Sequence, residues 1–444
     1  MNPVQIDFLV APEHLLSISW DQAKNPISPI PQAMDAFFSN FLSCSGLFVG
    51  ASGKEGSMKK ITLLAGLTVS LMVSCGSLTP EGSAGPSGLN AEQQQTYTLD
   101  YAWSRVKAKM EGKDYIRNPD FGNDVISEGQ SYVMMMAVQM NDRNLFDRVW
   151  NWSKWKMQNS DTGLFAWRVN PDSGQKVDTN SAPDGEAYFL TALIFAHNRW
   201  VGGSNSGYLT DAKALQAAMK ARLFVNGGTY NGMIKFTQVN EFTDPSYHLP
   251  AFFDVWAATA EKHGWGTRDF WRAAANTSRN FLTQATSKFR SGSGLTPEYA
   301  NYDGSGRSES WNPKSNEFRY DARRTAMNWT MDFIWRGNQD ATNLKASTLS
   351  WNILNFFNGQ DGNRNDSHLS YNSLCRADGY CEGGKNAGLI AMNAVASLIV
   401  PAHPRAVNFK NEIFYQDPTH YGYYDLMVHT LGMLWVTGNF KKYM

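Results

Sequence analysis

Glu128, Asp184 and Asp321 are the residues whose types and surroundings could do chemistry. Glu128 lies in Ser127-Glu128-Gly129-Gln130-Ser131-Tyr132 and opens an apolar run from Val133 to Val138. Asp184 lies in Pro183-Asp184-Gly185-Glu186-Ala187-Tyr188-Phe189, and Asp321 in Phe318-Arg319-Tyr320-Asp321-Ala322-Arg323-Arg324. Each motif reads as a helix entrance, where unpaired backbone N–H groups stabilise a negative charge. One such residue is a structural cap. Three of them, with aromatics around each, supply more. One carboxylic acid can protonate a leaving oxygen while another carboxylate activates water, the two tasks that split a glycosidic bond.

Those entrances need helices to carry them. Apolar periodicity predicts helices over 91–110, 128–140, 143–158, 185–200, 209–223, 248–262, 267–287, 321–338, 341–358, 386–399, 408–415 and 421–436. Ala187 to Ala196 and Ala387 to Leu398 are apolar almost all round, as buried helices are. Asp211 to Arg222 and Arg268 to Lys288 carry charge on one face. This alternation predicts an all-α fold, an (α/α)6 barrel of six inner and six outer helices. No tight sequence repeat supports it, so an irregular bundle is the alternative.

Long connections fall at 159–184, 224–247, 289–320 and 359–385, and loops of that length in a compact domain are usually functional. They carry aromatics suited to stacking on sugar rings. Trp167, Tyr247 and Tyr302 are the cleft candidates, with Tyr424 of the pair Tyr423-Tyr424 as a weaker one. Trp150, Trp152 and Trp155 stand at helical spacing and read as core. Arg324, one turn after Asp321, is placed to hold that carboxylate ionised; its alternative is a surface charge.

Lys+Arg and Asp+Glu both number 40, so there is no basic field to attract nucleic acid. Met58-Lys59-Lys60, an apolar run from Ile61 to Ser74, and Cys75 together resemble a bacterial lipoprotein signal over 58–75. That implies an exported chain lipidated at Cys75 and held at a membrane only by that anchor, with ordinary secretion as second choice. Residues 1–57 are expected to be a non-native upstream extension, 76–90 a flexible linker, and 91–444 the catalytic domain. Cys375 and Cys381, six apart on a Gly-rich loop, are a candidate disulfide. Asp361 to Asp366 lacks the sixth-position Gly and the distal Glu of a calcium loop, so no metal is expected.

The motifs around Glu128, with Phe146-Asp147-Arg148-Val149-Trp150 and Phe165-Ala166-Trp167, resemble the opening of glycoside hydrolase family 8. Ala182 to Phe189, closing at Asn198-Arg199-Trp200, is similar to that family's signature helix. Asp244-Pro245-Ser246-Tyr247-His248-Leu249-Pro250 and Arg319 to Asn328 resemble its xylan-directed members. The resemblance spans nearly all of 91–444. It implies an (α/α)6 barrel and an inverting mechanism on β-1,4-linked sugars. Glu128 would be the general acid, Asp321 the general base, and Asp184 the residue that binds and distorts the sugar. It implies a xylan or xylo-oligosaccharide partner; no cofactor is expected, and the chain is expected to be a monomer. Arg323 stands where the motif usually has Trp, which puts one subsite contact in doubt.

Within that family, the xylan branch divides into exo-enzymes that release xylose from the reducing end and endo-xylanases. The exo-enzymes resemble most of this chain and are the first reading. Their blocking loop, however, carries a His just before the Gly-Leu-Ile-Ala helix. Here the loop is longer and reads Cys375 to Asn386, which is closer to the endo-xylanases, the alternative together with other β-1,4-glucanases of the family. A glycan-binding lipoprotein without catalysis is the reading from another class. A lyase or isomerase on a similar toroid would want a His or Tyr base in the cleft.

Overall fold

Helix-forming sequence dominates the chain from Leu99 onward, and a computed structural model resolves it into a double ring. The structure describes residues 96–203, 206–363 and 367–444, and the backbone of 5–11 and 14–19. The expectations for 58–75, 76–90 and Cys75 lie outside the described residues. Within 1–57, β1 (Gln5–Ala11) and β2 (His14–Ser19) form an antiparallel pair. In β1, Ile6, Phe8 and Val10 alternate as a short strand does.

Twelve α-helices follow among the described residues: α1 (Leu99–Lys109), α2 (Ser127–Gln139), α3 (Arg143–Lys156), α4 (Pro183–Ala196), α5 (Gly207–Arg222) and α6 (Pro250–Lys262). The second half holds α7 (Arg268–Arg290), α8 (Thr325–Trp335), α9 (Ala346–Gln360), α10 (Ala387–Ser397), α11 (Ala406–Glu412) and α12 (Tyr423–Val436). The even-numbered helices are buried along most of their length. α4 and α10 bury every residue, as their all-round apolar sequences require. Each even helix packs on the next, and α12 packs on α2, which closes the inner ring. The odd-numbered helices bury one face and form the outer layer.

Capping fixes several starts. Thr98, Asp142 and Ser206 accept the N–H of Tyr101, Leu145 and Leu209 at the heads of outer helices α1, α3 and α5. Inside the wall, Arg279 of α7 bonds both carboxylate oxygens of Asp332 of α8, at 3.0 and 2.6 Å. A bidentate pair of this kind is strong and directional.

Several boundaries differ from expectation, and at two of them the helix type changes. The run 321–338 begins as a 3-10 turn, Tyr320–Arg324, before α8, so Asp321 sits on a tighter turn than an α-helix gives. The α4 helix ends in a π-turn over His197–Val201. Small strands brace the loops: β3 (Val125–Ile126), β4 (Arg168–Val169) and β5 (Lys176–Asp178) in one sheet, and β6 (Leu374–Cys375) with β7 (Cys381–Glu382) in a hairpin. Trp150 and Trp152 are core, but Trp155 is 73% exposed on the last turn of α3, capped by Lys156 3.6 Å from its ring centre. Helical spacing alone did not separate it from its buried neighbours.

Candidate active site

The N-terminal ends of the inner helices meet at one end of the barrel. Glu128 enters from the first turn of α2, Asp184 from the first turn of α4, and Asp321 from the 3-10 turn leading into α8. Partial positive charge at those ends favours anions. The three carboxyls meet on one guanidinium. Arg324 Nη1 donates to Glu128 Oε2 at 2.9 Å, to Asp184 Oδ2 at 2.8 Å and to the Tyr132 hydroxyl. Arg324 Nη2 donates to Ser246 Oγ at 2.9 Å and lies 3.2 Å from Asp321 Oδ1. Arg324 is buried, so the surface-charge alternative is set aside.

One cation cannot neutralise every acid here. Burial pushes the Glu128 carboxyl well above its usual range; Arg324 pulls it back in part, and Asp184 and Asp321 push it higher. Burial also raises Asp184, against the pull of Arg324. A fourth carboxyl, Asp244, is raised well above its usual range by burial and then by Asp321. Its Oδ1 accepts the Ser246 N–H at 2.6 Å and so shapes the turn that carries Ser246 and Tyr247. Sequence reasoning quoted Asp244 inside a motif but gave it no role. The signal was the Asp-Pro-Ser pattern of a capped turn.

Glu186 is another carboxyl without an assigned role. It is fully buried on α4, its Oε1 accepts the Phe165 N–H at 2.9 Å, and burial lifts its pKa to about 8. It therefore ties down Phe165-Ala166-Trp167. The Trp167 carbonyl accepts the Ser127 N–H at 2.9 Å, so Trp167 borders the Glu128 entrance. Trp167 is half-buried and packs edge-on to Phe121 at 5.3 Å.

Tyr247 and Tyr424 are also brought to the carboxyls. Burial, then Asp184, raises the Tyr247 hydroxyl, and burial, then Asp321, raises that of Tyr424. Tyr424 lies 6.0 Å from Arg324 across its ring and donates to the Tyr320 carbonyl at 3.3 Å. Tyr302 is not brought there. It packs with Met233, Phe281, Ala285 and Ala300 in a separate small core and tilts against Tyr230 at 5.4 Å. Tyr299, three residues earlier, is the tyrosine of that loop that lies near the carboxyls. Tyr299 packs with Phe236 at 4.7 Å and Trp311 at 5.3 Å, and its hydroxyl is raised by burial and then by Asp321. Phe236 in turn stacks on Tyr247 at 5.8 Å, and Trp311 is 59% exposed at the outer end of this row.

The His nearest this chemistry is spoken for. His248 is buried between Ser278 Oγ at 2.9 Å and Thr243 Oγ1 at 3.0 Å, and burial drives its pKa down to about 3. It is neutral and structural. Arg323, where Trp is usual, is buried and donates to Asn386 Oδ1 at 2.9 Å, the N-cap of α10. Cys375 and Cys381 are joined by a disulfide across β6 and β7.

Comparison with known proteins agrees with this geometry. A family model described as Glycosyl hydrolases family 8 matches residues 89–438. A reducing end xylose-releasing exo-oligoxylanase of Halalkalibacterium halodurans is 35% identical over 346 residues, covering 72% of this chain and 82% of its own. One from Paenibacillus barcinonensis is 36% identical over 338 residues, 73% of this chain and 84% of its own. Among solved structures, a xylohexaose complex of a catalytic-mutant xylanase from Teredinibacter turnerae superposes with a TM-score of 0.65. It is 32% identical and covers 79% of this chain and 98% of its own.

Proposed function

This chain belongs to glycosyl hydrolase family 8, and from that premise we propose that it is an inverting hydrolase of β-1,4-xylosidic bonds that releases xylose from the reducing end of xylo-oligosaccharides. The observation that carries the reading is the Arg324 fork holding Glu128, Asp184 and Asp321 at once. Glu128 is the general acid: its raised pKa keeps the proton that the leaving oxygen needs. Asp321 is the general base and takes a proton from water. Asp184, beside Glu128 on the same nitrogen, binds the sugar at the cleavage point.

An inverting pair stands about 6.5–9.5 Å apart, with a water between. A fork that takes Glu128 on one nitrogen and Asp321 on the other separates them by its own width and two polar contacts, which suits that gap. In the step itself, Asp321 accepts a proton from water as its oxygen bonds the anomeric carbon. The glycosidic bond breaks on the opposite face, and Glu128 gives its proton to the departing oxygen. Trp167, Tyr247 and Tyr424 offer flat faces to successive sugar rings. Xylan recognition fits the two exo-oligoxylanase relatives.

The second reading, endo-xylanase, is favoured by one feature. The loop before α10 is a disulfide hairpin with exposed Tyr380, not a His-bearing block. We further propose export, with a lipid anchor at Cys75. The deciding experiment is hydrolysis of linear xylohexaose with early NMR spectra. Xylose and xylopentaose as first products, with new reducing ends in the α-form, are expected. Xylobiose to xylotetraose as first products would replace exo by endo cleavage, and β-anomer would overturn the inverting assignment.

A further inference from the structure

Arg324 and Arg323 tie the end of the turn that carries Asp321 to the carboxyls, to Ser246 and to Asn386, but the start of that turn has little of its own to hold it. It follows the long connection after α7, and its N-cap, Arg319, makes no side-chain cap bond. What braces that start comes from the hairpin β6–β7. The Phe318 N–H donates to the Cys375 carbonyl at 2.8 Å, and the Cys375 N–H donates back to the Phe318 carbonyl at 2.9 Å. Phe318 is fully buried and stands three residues before Asp321. On the second strand, Glu382 pairs with Lys314 at 3.2 Å and faces Arg319 at 3.9 Å.

The hairpin is itself anchored from behind. Arg290, at the end of α7, donates to the Ala377 carbonyl at 3.0 Å. Its guanidinium presses on Gly379, where an added Cβ would lie 2.9 Å from Cζ and φ is +94°. Two strands of two residues each are too short to stay paired in water unaided. The Cys375–Cys381 disulfide closes this pair at the register position that meets Phe318.

We propose that the Cys375–Cys381 disulfide hairpin, wedged between Arg290 and Phe318, is the strut that positions Asp321, so that Cys375 and Cys381 are positioning residues for the base step. The inference rests on the reading of Asp321 as general base. A small displacement of a base from its water costs rate without costing binding, since sugar contacts on Trp167 and Tyr247 stay in place.

The test compares wild type, Cys375→Ser/Cys381→Ser and Arg290→Ala on xylohexaose and on an aryl xylobioside with an activated leaving group. In the double variant kcat should fall about 10–100-fold with KM within about threefold. The loss should be as large on the activated substrate, which needs no acid but still needs the base. Arg290→Ala should show a smaller loss of the same kind. Unchanged kcat at a temperature where the variants remain folded, with only a lowered melting temperature, would overturn the proposal. So would a loss that disappears on the activated substrate, because it would then lie on the acid side. Should the double variant not fold, Arg290→Ala decides alone, and unchanged kcat there overturns the strut. A wild type that leaves xylohexaose intact would instead refute the functional reading.

Discussion

At the scale of residues, the site is a problem of shared charge. Glu128 and Asp184 share one nitrogen of Arg324, and Asp321 lies at the other. Glu128 works as an acid only while protonated. Its pKa is raised, so the proton persists above the ordinary carboxylate range and is lost as pH rises through the raised value. Activity should therefore decline on an alkaline limb set by Glu128. Arg324 opposes that raise, so Arg324→Gln should move the limb to higher pH while lowering maximal kcat by about 100-fold or more. Arg324→Lys keeps the charge but loses the fork, and should hold the limb while still losing rate. A pH profile of kcat for the three proteins checks this, and a limb that moves to lower pH in Arg324→Gln would refute the coupling. Glu128→Ala and Asp321→Ala should each lose about 10²–10⁴-fold. These residues were legible in the sequence because each opens a helix with a compact motif. Tyr302 misled because a Tyr in a long loop looks the same whether it lines a cleft or fills a satellite core. Tyr299 and Tyr302 differ in burial partners, which one sequence does not display.

At the scale of elements, close approach of inner helices sets where the carboxyls stand. Gly129 follows Glu128 on α2, and the Tyr423 hydroxyl of α12 occupies the space of its missing side chain; a Cβ there would lie 1.6 Å from that oxygen. Tyr423 is itself buried and cannot swing away freely. Gly129→Ala should thus force α2 and α12 apart, destabilise by about 1–3 kcal/mol, and lower kcat through the adjacent Glu128. Gly359, on outer helix α9, has nothing within 4 Å of an added Cβ. Gly359→Ala should stabilise by roughly 0.5–1 kcal/mol and leave kcat alone. Thermal unfolding and kinetics of the two variants side by side test the contrast, and a Gly129→Ala enzyme as stable and fast as wild type would refute it. The number and order of helices were readable because buried helices are apolar all round and outer ones are striped. The β6–β7 hairpin was not, since two-residue strands carry no period, and the 3-10 turn at Tyr320–Arg324 runs directly into the α-helix at Thr325 with no Gly or Pro to mark the change.

At the scale of the whole molecule, the question is how much chain the chemistry needs. The family match runs over 89–438, and Gly88–Met444 forms one compact unit. Inside that unit the inner ring closes from α12 back to α2, and Gln139 of α2 exchanges bonds with Lys441 near the C-terminus, at 2.9 and 2.8 Å. The ring is thus closed by bonds that lie within 96–444. No helix among the described residues is long and apolar enough to cross a membrane. Under the proposed export, a lipid on Cys75 is the membrane anchor, and residues 76–90, rich in Gly, Ser and Pro, have the composition of a flexible linker. A chain starting at Ala91 should then be soluble, melt within about 2 °C of the longer protein, and match its kcat on xylohexaose. Cys75→Ser in the longer protein, expressed in a bacterium that processes lipoproteins, should move activity from the membrane fraction to the soluble one with kcat unchanged. Activity that stays with the membrane in Cys75→Ser would refute the lipid anchor, and a chain from Ala91 that fails to fold would show that the preceding segment belongs to the barrel.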